Sequence, residues 1–149
     1  MASDVYLAGP LFTPYERAFI DGLADRLRSR GISVFVPHEA ITEFEPTAAD
    51  VFQVDAEGLL NSRVVLAILD GTGVDDGTAC EIGMFQQAAW LDPTKRGVVG
   101  LVTDLRLRRG AGGDVRLNLF VRGCIEQRGR VVSDVDEAVD EVARLLLPS

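Results

Sequence analysis

The chain reads as an α/β protein, a single doubly wound (Rossmann/flavodoxin-like) domain over residues 1–149 with a mostly parallel five-stranded sheet. Three observations carry that expectation. Val64-Val65-Leu66-Ala67-Ile68-Leu69 is an apolar run without alternation, as a strand covered on both faces requires. Strand-like and helix-like segments alternate along the whole length. The handover after the apolar run, Asp75-Asp76-Gly77-Thr78-Ala79-Cys80-Glu81-Ile82-Gly83, puts carboxylates and a glycine turn where open α/β sheets bind ligands.

The elements follow in order. Asp4 to Ala8 is the first strand, closed by Gly9-Pro10. Thr13-Pro14-Tyr15-Glu16 has a cap, a proline at the first helical position and a glutamate at the third, which starts a helix. Phe19, Ile20, Leu23 and Leu27 give that helix its core stripe, and Gly31 ends it. Ile32 to Val36 is a second strand stopped by Pro37, and His38 to Glu45 is less ordered. A helix from about Thr47 to Asn61 leads into the third strand. The next helix runs from Thr78 to about Leu91 with Ile82, Phe85 and Ala89 on one stripe. Val98 to Val102 is a fourth strand, and a polar, glycine-rich loop covers 104–116. Leu119 to Ile125 and Arg130 to Val132 read as short extended pieces before a last helix from Ser133 or Asp134.

Composition narrows the function. At 149 residues the chain suits one domain, and no apolar run approaches the roughly 20 residues a membrane helix needs. Met1-Ala2-Ser3-Asp4 has no basic region of a signal peptide, so a cytoplasmic protein is expected. Cys80 and Cys124 have no metal-ligand or redox spacing and read as reduced thiols. Fifteen basic against twenty-three acidic residues, net −8, argue against a nucleic-acid partner. Arg106 to Arg109 is the one basic cluster, in a solvated loop. Dinucleotide and P-loop fingerprints are absent, and the single histidine, His38, reads as a surface residue rather than a base. No cofactor is signalled.

Four residues near strand ends are candidates for chemistry, and each has a plainer explanation. Thr78-Ala79-Cys80-Glu81 fits a capping box, which would tie Glu81 to a backbone N–H. Tyr6 is equally a core aromatic, Asp55 an exposed helix charge, and Asp75 a turn residue.

Taken in order, Tyr6-Leu7-Ala8-Gly9-Pro10-Leu11-Phe12, Asp55, Asp75-x-Gly77-Thr78-x-x-Glu81-x-Gly83 and Asn118-Leu119 resemble the nucleoside 2-deoxyribosyltransferase family over nearly the whole chain. The resemblance implies that Glu81 is the nucleophile at the anomeric carbon and that Tyr6 orients its carboxylate. It implies that Asp55 is a general acid at the leaving base and that Asp75 binds sugar hydroxyls, although Asp76 is an adjacent candidate. Phe12 takes the place of an aromatic packing on the base, with Gly9 and Gly77 in the substrate-binding turns. Asn118 matches an asparagine given to a neighbouring subunit's site, so a homo-oligomer (dimer, tetramer or hexamer) with shared sites is implied. Leu117 to Val121 is then either a subunit contact or an inner strand.

The chemistry is coherent on its own terms. Breaking a deoxyribosyl C–N bond builds positive charge that a carboxylate stabilises and captures. A protonated carboxyl eases departure of the base, and two displacements retain configuration. The family includes transferases acting on nucleosides and nucleobases and hydrolases of nucleoside 5′-monophosphates. Gly9 to Thr13 lacks a Ser/Arg-rich phosphate grip, which with Asn118 favours the transferase, while Arg106–Arg109 points the other way. A non-catalytic nucleotide-binding module is the third expectation.

Overall fold

Two apolar layers sandwich the central strands, and the alternation of side chains along each strand explains how. Among residues 2–41, 45–107 and 116–148, which the computed structural model describes, the strands are β1 Ser3–Ala8, β2 Val34–Phe35, β3 Ser62–Ile68, β4 Gly97–Leu101 and β5 Arg130–Val132. The helices are α1 Pro14–Ser29, α2 Pro37–Ala40, α3 Ala48–Leu60, α4 Asp76–Leu91, α5 Leu119–Glu126 and α6 Val135–Leu146. The sheet order is β2-β1-β3-β4-β5 and every pairing is parallel.

Odd and even strand positions serve different layers. Val5, Leu7, Val64, Leu66, Val99 and Leu101 pack with Ile20, Leu23 and Leu27 of α1 and Val139 and Val142 of α6. Tyr6, Ala8, Val65, Ala67 and Val98 face Leu59, Ile82, Phe85 and Ile125 from α3, α4 and α5. Both faces are apolar because both are covered, and each Leu or Ile so buried contributes about 1.5–3 kcal/mol. The chain leaves β1 toward β2 on one side and returns to β3 on the other. The topological switch therefore lies between β1 and β3, where a ligand crevice is expected.

Local signals hold at α1. Thr13 and Glu16 form a reciprocal capping box with Pro14 at the first position. Gly31, at φ 76°, closes the helix: its N–H donates to the Arg28 carbonyl and that of Ile32 to Leu27.

Three expectations are corrected. Strand two is confined to Val34–Phe35, and the stretch after it starts with the short helix α2, because Pro37 fits a first helical position as well as it stops a strand. Leu119 to Ile125 is not extended. The Asn118 side chain accepts from the N–H groups of Phe120 and Val121, and this cap starts α5. Val121, Cys124 and Ile125 then face the core at helical spacing, so the inner-strand alternative is overturned. Finally, α4 begins at Asp76, not Thr78. Among the described residues no helix is long and apolar enough to cross a membrane.

Candidate active site

Asp75 sets the geometry of the β3–α4 handover. As the N-cap of α4 its Oδ2 accepts from the Thr78 N–H at 3.0 Å and the Thr78 hydroxyl at 3.1 Å. Thr78, 1% exposed, then begins the buried stripe of Ile82, Phe85 and Ala89. With Asp75 as cap, the third helical position is Thr78, so Glu81 does not close a capping box. One turn further on, Glu81 lies at the edge of that stripe with its carboxylate toward the cleft. Gly77 follows from the same turn: a Cβ there would sit 3.2 Å from Asp75 Oδ2. The Asp76 side chain accepts from its neighbour's N–H, that of Gly77, and is exposed.

The partner of Glu81 comes from the sheet. Tyr6 is completely buried, on the face of β1 that looks toward α3 and α4, and its hydroxyl donates to Glu81 Oε1 at 2.6 Å. Residues 75 apart in sequence meet because β1 and β3 are adjacent and α4 starts just beyond the carboxyl end of β3, within reach of β1. The tyrosine ring is held in turn. Tyr6 and Phe35 are register partners in β1 and β2, and their rings stack 5.3 Å apart at 10°.

These groups open into a cleft of about 660 Å³ at the carboxyl ends of the strands, at the switch point. Glu81, Asp55, Asp75, Gly9, Gly77 and Phe12 all line it. Phe12 is 77% exposed, an apolar flap at the rim. A side chain at Gly9 would crowd the core, since a Cβ there would lie 3.1 Å from that of Ile68. Asn118 is not among the lining residues. It stands exposed at the start of α5.

Burial and mutual repulsion shape the electrostatics. Burial pushes the Glu81 carboxyl up to about 7, the Tyr6 hydrogen bond pulls it down, and the charges of Asp55 and Asp75 push it up again. Burial also raises Asp55, whose Oδ1 is buried with no hydrogen-bond partner among the described residues. The Tyr6 hydroxyl is held far above its ordinary value by burial and by Glu81, so it stays a donor. Two carboxyls whose burial disfavours their charged forms thus share one cleft, and one of them is held by a fixed donor, an arrangement suited to acid and nucleophile roles.

Among the lining residues that sequence reasoning missed, two are basic side chains. Arg17 sits on the first turn of α1, and its Nε donates to the Leu11 carbonyl at 2.7 Å, fixing the loop that carries Phe12. Its position one helical turn after a cap facing the Gly9–Phe12 loop was the available signal. His38 is half-buried in the cleft wall on α2, not a surface residue, with Nε2 2.8 Å from Asp21 Oδ1. Only the turn made by α2 brings it there. Of the basic cluster, Arg106 is forked onto Asp104, and Arg108 and Arg109 lie outside the described residues.

The chain is similar to known proteins over nearly its whole length. A family model described as nucleoside 2-deoxyribosyltransferase matches residues 5–132. A conserved protein from Enterococcus faecalis V583 is 28% identical, with a TM-score of 0.81 over 97% of this chain and 99% of that one. The fold is shared with a 2-deoxyribosyltransferase from Bacillus psychrosaccharolyticus, 22% identical, TM-score 0.69, covering 96% of each chain. It is shared too with the 2-desoxiribosyltransferase from Leishmania mexicana, 18% identical, TM-score 0.69, covering 97% of this chain and 99% of that one. A search of curated proteins finds no match.

Proposed function

The chain belongs to the nucleoside 2-deoxyribosyltransferase family, and from that premise we propose that it exchanges the base of 2′-deoxyribonucleosides by double displacement. The observation that carries this reading is the 2.6 Å hydrogen bond from the buried Tyr6 hydroxyl to Glu81 inside the cleft. In the first step a Glu81 oxygen forms a bond to C1′ as the C1′–N bond breaks. The bonding pair leaves with the base, whose nitrogen takes the proton of Asp55. In the second step a nitrogen of an incoming base forms the new C1′–N bond and the C1′–O ester bond breaks. Glu81 recovers its electron pair and Asp55 takes back a proton. Inversion twice retains the configuration.

The cleft suits the charge that develops. Glu81 and Asp75 stabilise an electron-poor sugar, and Tyr6 holds the nucleophile in one orientation, so little reorganisation is needed. An elevated pKa also makes Glu81 a more basic nucleophile once ionised. Asp75 is assigned to sugar hydroxyls, and Phe12 and Gly9 to the base side.

A second reading, hydrolysis of a (deoxy)nucleoside 5′-monophosphate, is favoured by one observation: Arg17 lines the cleft and supplies a cation. Incubating the protein with thymidine and adenine separates the two. The transferase yields deoxyadenosine and thymine. Release of base only from the 5′-monophosphate, at a rate indifferent to added adenine, supports the hydrolase, and saturable binding without turnover the non-catalytic module.

The same reading gives Asn118 to a neighbouring copy's cleft. Leu119 and Phe120 beside it are 82% and 80% exposed, and Trp90 on the adjoining α4 is 64% exposed, which supports an apolar contact between copies. Mixing inactive Glu81→Ala subunits with inactive Asn118→Ala subunits restores part of the activity if sites are shared. An active monomer by light scattering at assay concentration rules sharing out.

A further inference from the structure

Gly58 is an unusual residue for the interior of a helix, where it costs about 1 kcal/mol relative to alanine. Its surroundings explain it. A Cβ built on Gly58 would fall 2.4 Å from Cζ of Phe35 and within 2.6 Å of its Cε atoms, so the aromatic ring lies flat against bare helix backbone. The same ring also stacks on Tyr6, with centroids 5.3 Å apart. Gly58 is itself buried, and its carbonyl accepts from the buried Ser62 hydroxyl at 2.8 Å, which ties the end of α3 to the start of β3. Asp55 is three residues before Gly58, on the same face of α3.

We infer that Phe35 and Gly58 are positioning residues that set the Tyr6 hydroxyl on Glu81 and hold Asp55 at the matching depth. Neither touches the cleft. Phe35 is the spacer: β2 presents it to Tyr6 in register, and its ring fixes the plane in which the phenol can swing. Gly58 is the clearance: without a side chain it lets α3 close onto that ring, and the depth reached by the helix is the depth reached by Asp55 one turn earlier. With its ring stacked on Tyr6 and pressed against the bare backbone of α3, Phe35 couples any drift of the phenol hydroxyl to the position of α3. The role rests on the functional reading above, because positioning matters only if Glu81 and Asp55 act on a substrate.

The test reads Glu81 without any substrate. Carboxyl carbon NMR titration of protein labelled at glutamate, with Glu81→Gln to assign the resonance, follows its ionisation in wild type, Tyr6→Phe, Phe35→Leu and Gly58→Ala. The Tyr6 bond favours the ionised form, so losing it moves the midpoint upward. Phe35→Leu, which removes bulk rather than adding a clash and so keeps the fold, moves the midpoint the same way by part of the Tyr6→Phe shift. Added to Tyr6→Phe it moves nothing further. With a productive base-exchange assay, Phe35→Leu lowers kcat on the order of tenfold with KM within about twofold, as a small misplacement of reacting groups does. Gly58→Ala is damaging alone and tolerated with Phe35→Leu, because the smaller side chain makes room for the methyl. An unchanged Glu81 midpoint in folded Phe35→Leu, a downward one, or an equal shift with and without the Tyr6 hydroxyl overturns the proposal. If the midpoints behave as described and no base is exchanged or released, the positioning stands and the functional reading fails.

Discussion

The two ends of the sheet both gather charged side chains, yet they use them in opposite ways. At the amino end, Lys95 is 5% exposed and donates to the carbonyls of Leu60 and Ser62, with Asp92 beside it. Arg96 donates to the carbonyls of Leu145 and Leu147, and Arg63 to that of Leu146. These cations sit on the carbonyl ends of α3 and α6, where the helix dipole favours positive charge and unpaired acceptors need donors. At the carboxyl end, Asp55 and Glu81 are partly buried at the cleft with one side-chain hydrogen bond between them among the described residues, from Tyr6, and both are pushed toward their neutral forms. One end neutralises its own backbone. The other keeps charge unneutralised beside a cleft, the state that a ligand or a transition state can relieve.

Removing Glu81 tests that contrast most severely. Glu81→Gln lowers base exchange by about 10³–10⁵-fold, measured as kcat/KM, because an amide cannot form the ester. The fold survives, and stability moves the other way. Since the folded carboxyl ionises near 7 rather than near 4.5, wild type carries the cost of a buried charge above that window and none below it. Thermal denaturation at pH 8 therefore shows Glu81→Gln more stable by roughly 2 kcal/mol after discounting for partial solvent screening, with the advantage gone below about pH 4.5. In wild type the same ionisation makes kcat/KM climb as pH rises through about 7.

Asp55→Asn is the next largest effect, about a hundredfold in kcat for poorly leaving bases and much less for good ones. Equal slowing across leaving groups removes the general-acid role. At the amino end the expected pattern inverts. Lys95→Met leaves one buried and one part-buried carbonyl without this donor and costs about 2–4 kcal/mol in urea unfolding, while the activity of the folded fraction is unchanged. The smallest effect is at the remote cap of α6, where Asp134 accepts from the Glu137 N–H. Asp134→Ala costs about 1 kcal/mol with no change in kcat/KM. A loss of activity from Lys95→Met or Asp134→Ala per folded molecule would blur the separation between the two ends.

Periodicity and capping chemistry alone carried most of the architecture. The unbroken run at 64–69, the Thr13 capping box, the stripe Ile82, Phe85, Ala89 and the parallel α/β layout are local consequences of residue type, so they were legible in the sequence. The motif around Glu81 was legible as a set of candidates in the right order. What the sequence left open was decided in three dimensions. Whether Glu81 capped a helix or faced a cleft depended on which of two carboxyl-bearing turns reached Thr78 first, and Asp75 took that place. Whether Leu119 to Ile125 was strand or helix turned on the Asn118 side chain reaching two N–H groups. His38 entered the cleft wall, and Phe35 met both Tyr6 and Gly58, through contacts across strands and helices far apart in sequence. Local pattern specifies which faces must be buried; only the packed sheet determines which buried groups then meet, because that depends on register, crossover and helix depth rather than on any one segment.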